Sequence, residues 1–118
     1  MRALLLSAPL LLALPLVGCT ETAPAELGDC ATDSTMSWSA VEATFAENCS
    51  RCHATTLVGD VDRQSAPTGW DYDDPASAVR DPDESWRRIY TENMPPDETM
   101  SEADKLLIWE WYSCDGPS

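Results

Sequence analysis

Cys49-Ser50-Arg51-Cys52-His53 sets two thiols three residues apart with an imidazole directly behind the second, and that imidazole is the only one in the chain. On a helix these side chains fall at i, i+3 and i+4 and project the same way. Apolar residues lead into the same face: Val41, Phe45, Cys49 and Cys52 recur as one helical stripe. Ser39 to Glu42 has the form of a capping box, so this first helix is expected to begin at Ser37 or Ser39. The cysteines thus lie on the same stripe as the apolar residues that are expected to face the interior.

Little else is available to fill it. The chain opens MRALLLSAPLLLALPLVGC, with Arg2 as a positive start, an apolar run from Ala3 to Val17, and small Gly18 before Cys19. Residues 1–18 read as an export signal, and the run is too short and too interrupted by Pro9 and Pro15 to span a membrane. Leu16-Val17-Gly18-Cys19 resembles the lipobox of bacterial lipoproteins. That resemblance implies cleavage before Cys19 and a lipid on its thiol; the alternative is an ordinary signal that leaves Cys19 a free thiol. One domain of about 100 residues remains. It holds four Leu, two Ile, four Val and one Phe, with five Trp and three Tyr for bulk. So few aliphatics point to a staple or a bound apolar cofactor. Without Arg2, six basic residues face 21 acidic ones, a formal charge of −15. Such a surface argues against nucleic acid and suits a basic partner or none.

The pattern along the chain is helical, with no strand signal. Residues 19–36 are polar and contain Pro and Gly, which predicts a flexible tether ordered only near Cys30. Residues 55–82 show no sustained periodicity and carry three Pro, two Gly and six Asp. A loop of that length in a small domain is expected to wrap something. A second helix is predicted over 83–92, with Trp86, Ile89 and Tyr90 as its stripe, stopped by Asn93-Met94-Pro95-Pro96. Ser101 is a good N-cap for a third, on which Leu107, Trp111 and Cys114 share a face, and Asp115-Gly116-Pro117 ends it. The expected fold is all-α, with three main helices in a domain over 37–118.

C-x-x-C-H is the attachment signal for c-type haem. Two thiols at this spacing suit the two vinyl groups on one edge of the ring, and the next residue brings an imidazole to the iron. A thioredoxin-like pair would need a βαβ pattern. Zinc would need two further ligands, and only Cys30 and Cys114 remain. A structural Cys49–Cys52 disulfide leaves the thin core and the long loop without explanation. With a single histidine, the second axial ligand falls to a methionine. Met36, Met94 and Met100 are the candidates. Met94 leads, because Pro95 and Pro96 stiffen its segment; Met100 follows, and an open or water-bound iron is the third option.

Taken together, CSRCH, NMPP and the closing LLIWEWYSC resemble a class I cytochrome c domain of the small bacterial lipoprotein kind, over Ser37 to Cys114. The resemblance implies a cytochrome c-like fold around one covalent haem c. Cys49 and Cys52 would carry the thioethers, and His53 and Met94 would ligate the iron. It also implies a proline carbonyl that accepts the second N–H of His53, with Pro67 the leading match and Pro75 the alternative. Trp70, Tyr72 and Arg87 or Arg88 are candidate donors to the haem propionates. The chain lacks the lysine-rich docking face of better-known members, since Lys105 is its only lysine. With Cys49 and Cys52 on haem and Cys19 on lipid, Cys30 and Cys114 are left to pair. Closing that loop is worth about 4 kcal/mol in the chain-entropy picture.

The function implied is one-electron transfer by a lipid-anchored protein on the periplasmic side of a bacterial membrane. Its partners would be redox proteins with a basic docking face, with no small-molecule substrate. Two alternatives remain. One is a gas sensor or peroxidase-like enzyme with a labile Met94, for which Glu92 or Asp97 would have to serve as the acid–base group. The other is a haem-free, disulfide-stapled interaction lipoprotein. The acid pairs Asp60/Asp62 and Asp73/Asp74 read as solvated loop charge, with calcium binding as the lesser alternative.

Overall fold

The computed structural model describes residues 21–30 and 36–114. The signal segment 1–18 and Cys19 lie outside the described residues. Within them the chain is helical with no strand: α1 (Trp38–Asn48), α2 (Gly59–Asp62), α3 (Pro75–Ala78), α4 (Pro82–Tyr90) and α5 (Glu102–Cys114). The three longer helices are the three expected ones, and α1 and α4 both pack on α5.

Each helix starts where local chemistry allows. Ser37 stands at the N-cap position of α1 without a side-chain cap bond, and Ser39 lies inside the helix, so the capping box does not form; the Ser37 and Ser39 hydroxyls bond each other at 2.7 Å. Asp74-Pro75 and Asp81-Pro82 open α3 and α4 alike. The Asp carboxylate accepts a backbone N–H three residues on, from Ser77 and from Glu84, and proline at the first helical position has no N–H to leave unpaired. Ser101 Oγ accepts Asp104 N–H at the start of α5, as expected.

The core substitutes aromatic rings for missing aliphatics. Phe45 lies at its centre, stacked on Trp38 at 5.5 Å and on Tyr72 at 5.4 Å, with Trp111 and Tyr112 edge-on. Such offset and edge contacts each add about 0.5–1.5 kcal/mol beyond area burial. Val41, Trp86 and Ile108 complete the buried set.

The segment expected to be a free tether is packed instead. Ala23 is buried in the core and Leu27 lies against it. The Trp86 indole N–H donates to the Pro24 and Ala25 carbonyls at 3.1 Å, and Trp109 donates to Glu26 at 2.8 Å. Trp86 is fully buried and Trp109 partly so; both indole N–H groups need acceptors, and this strap supplies them. Cys30 is bonded to Cys114, 84 residues on, so the strap is fastened to the end of α5.

Candidate functional site

The motif segment begins where α1 ends. Helical stacking stops at Asn48, not beyond the cysteines, and Cys49 has left helical backbone angles. One further turn is nonetheless closed, since the Cys49 carbonyl accepts Cys52 N–H at 3.2 Å and His53 N–H at 3.0 Å. Cys49, Cys52 and His53 therefore still face one way. All three line a cleft of about 280 Å³. Cys49 and Cys52 are both free thiols. Burial pushes the Cys49 thiol up to about 12, so it is a neutral thiol at physiological pH. That disfavours a reactive thiolate of the thioredoxin kind.

His53 is held at two points. Its carbonyl accepts Tyr72 N–H at 2.9 Å, and its Nδ1 lies 2.7 Å from the Trp70 carbonyl. A carbonyl only accepts, so Nδ1 carries the proton and Nε2 keeps its lone pair. Burial holds the imidazole below its usual range, against the pull of the Trp70 bond. The acceptor is thus Trp70 and not Pro67. The Pro67 carbonyl is taken by Arg63, and Pro75 sits at the start of α3, away from the cleft.

Arg63 organises the long loop, and it was not among the residues singled out from sequence. The residue is buried. Its guanidinium donates to the carbonyls of Ala54 at 2.9 Å, Ala66 at 3.0 Å and Pro67 at 2.9 Å, and to Asp71 Oδ1 at 2.7 Å. These acceptors flank His53 on one side and Trp70 on the other, so one side chain sets the separation across which Nδ1 meets its carbonyl. Three of the four acceptors are backbone atoms, which carry no residue signature. An arginine set among aspartates was the one available signal.

A further part of the cleft lining comes from the turn after α4. Glu92 adopts a left-handed backbone (φ 59°), its N–H bonds the Ile89 carbonyl, and Asn93 N–H bonds Arg88. This is a Schellman ending, and Met94 N–H adds a bond to the same Arg88 carbonyl at 3.1 Å. The Lys105 ammonium, buried at the head of α5, bridges Glu92 at 3.1 Å and Glu102 at 3.0 Å and so fixes the turn. Met94 lines the cleft half-buried. Met100 lines it too but is buried among the core residues, and Met36 packs on the core outside the cleft. An Arg51–Asp97 ion pair links the segment of His53 to the segment after Met94.

The other expected residues divide. Tyr72 lines the cleft, but its hydroxyl shares a hydrogen bond with Ser85 at 2.8 Å and burial pushes it up to about 12. Arg88 lines the cleft; Arg87 does not, because a helix turns about 100° per residue and only the Glu84, Ser85, Arg88, Ile89 side faces it. Arg87 instead makes two bonds of 2.8 Å to Glu84. The bonds from Arg87 and then Arg88 draw the Glu84 carboxyl down to about 2. A depressed carboxylate stabilises the fold above its ordinary value of 4.5, and that contribution is lost as pH falls toward 2. Glu84→Gln is therefore expected to flatten the acid limb of unfolding between those values, measured by circular dichroism against pH.

Glu92 and Asp97 are paired with Lys105 and Arg51 and do not line the cleft. Asp73 is held by Thr55 and Asp74 caps α3. Among the described residues no group of three or more His, Cys, Asp or Glu is placed to hold a metal ion, and no helix is long and apolar enough to cross a membrane. No family profile, curated protein or solved structure matches this chain.

Proposed function

We propose that this chain is a single-electron carrier holding one covalent haem c, exported and fastened to a membrane through a lipidated Cys19. The observation that carries the reading is the cleft itself, whose lining brings Cys49, Cys52, His53 and Met94 together. The donor set fits the group. Two free thiols stand at the attachment spacing, an imidazole has Nδ1 engaged and Nε2 available, and a thioether lines the same cleft without belonging to the core. Apolar side chains of Ile89, Pro95 and Met100 suit a flat hydrophobic ring. When bound, haem supplies an iron that gains and loses one electron without making or breaking a bond to substrate.

The chain's own residues do the rest. The Trp70 carbonyl fixes the His53 tautomer and ring plane. The Schellman turn and Lys105 hold the Met94 backbone in place. Tyr72, whose ring lies 5.4 Å from that of His53, and Ile89 add apolar surface to the cleft lining.

The test uses protein exported from a host with c-type haem maturation. A mass increment of one haem and a low-spin spectrum are expected, turning high-spin in Met94→Ala. Retention of the low-spin spectrum in Met94→Ala and its loss in Met100→Ala would transfer the ligand role to Met100. Rapid carbon monoxide binding by the reduced wild type would favour a sensor or enzyme. A mass without haem would reject the carrier.

A further inference from the structure

We propose that Val58 and the one-turn helix α2 form a docking tip for a basic electron-transfer protein, an inference that rests on the carrier reading above. No residue of α2 is buried. Val58 is 78% exposed and Val61 89% exposed, the two most exposed large apolar side chains among the described residues. A chain with so few aliphatics leaves two of the four valines beyond residue 18 exposed, three residues apart at one short turn. Their fold-stabilising contribution there is nil, because burial is what makes an apolar side chain stabilising.

The rim of this patch is acidic. Asp60 and Asp62 alternate with the valines, both are exposed, and neither joins an ion pair among the described residues. An apolar centre with a charged rim is the anatomy of an interface, and two valines can form the centre of a small one. The occupant is set by charge. A chain with net charge −14 attracts a protein whose own small apolar patch is ringed by Lys and Arg, and repels an acidic one.

Position gives the tip its use. The chain leaves α2 through a second Schellman corner, in which Ser65 N–H bonds the Asp60 carbonyl at 2.8 Å and Gln64 takes a left-handed backbone (φ 49°). Gln64, Ser65, Ala66 and Pro67 then line the cleft. A partner seated on the tip is therefore beside residues that line the cleft. In that complex one electron passes from the reduced centre of this chain to the oxidised partner, with no bond formed and no proton moved.

The experiment begins with the haem-loaded protein, whose mass and spectrum are recorded first. Binding to an oxidised, lysine-rich c-type cytochrome is then measured by titration calorimetry at several salt concentrations, and electron transfer by stopped flow. Asp60→Asn with Asp62→Asn is expected to weaken binding about tenfold at low salt and to flatten its salt dependence. Val58→Ser with Val61→Ser is expected to weaken it about fivefold with the salt dependence unchanged. Glu26→Gln with Glu42→Gln, which removes equal charge elsewhere, is expected to stay within about twofold of wild type. Redox potential should be the same in all four proteins. Wild-type binding in both tip variants, or an equal loss in the Glu26/Glu42 control, overturns the docking tip while leaving the carrier intact. A wild type without haem overturns the carrier, and the docking role falls with it.

Discussion

Arg63→Ala is expected to lower the free energy of unfolding by about 3–5 kcal/mol, a large share of what a domain of this size possesses. The cost comes from what the substitution leaves behind. Asp71, also buried, would keep a charge with no partner, the carbonyls of Ala66 and Pro67 would lose the arginine's N–H groups, and that of Ala54 would keep only Leu57 N–H. Arg63→Lys restores the charge but not the fork, since one ammonium cannot reach acceptors on several sides. It should recover less than half of the loss. The measurement is the urea midpoint followed by far-ultraviolet circular dichroism. A lysine variant as stable as wild type would show that charge alone, and not the guanidinium's reach, holds the loop. The same variants bear on the site, because the loop so held carries the carbonyl that meets His53 Nδ1.

Cys30→Ser with Cys114→Ser is the second large effect. Opening a loop of 84 residues should cost about 4 kcal/mol through the freed entropy of the unfolded chain. The loss should be ordered. The strap is then held by the indole bonds of Trp86 and Trp109 and by Ala23 and Leu27 against the core. It should become protease-sensitive before the helices melt. Limited proteolysis read by mass spectrometry, alongside the urea midpoint, separates the two events. An unchanged midpoint with an uncut strap would mean that those contacts alone fasten the segment.

The helices were legible because their signals are local. Ser101, the apolar stripe of α5 and the proline pair after Met94 act within a few residues of their effects. Cys49, Cys52 and His53 were legible for the same reason, although the helix stops at Asn48 and a single turn carries their geometry. Asp74-Pro75 and Asp81-Pro82 held an unused local signal for two helix starts. The role of Arg63 was not legible, because its acceptors are mostly carbonyls brought together by the path of the loop. The choice of Trp70 over Pro67 follows from that same path. The strap was misread because a polar composition describes side chains, whereas its attachment uses backbone carbonyls and one small buried alanine. Comparison with α4 shows the finer limit: Arg87 and Arg88 are equivalent in composition, and only helix rotation separates them.

The Cys30–Cys114 bond also decides how the molecule bears tension. A pull applied between the strap and the end of α5 crosses directly from one sulfur to the other. The residues between them, including His53, Arg63 and Met94, form a closed ring hanging off that path. Force on the chain ends would peel the strap from Trp86 and Trp109 and then meet a covalent bond. The cleft would keep its shape under a load that unravels the reduced protein.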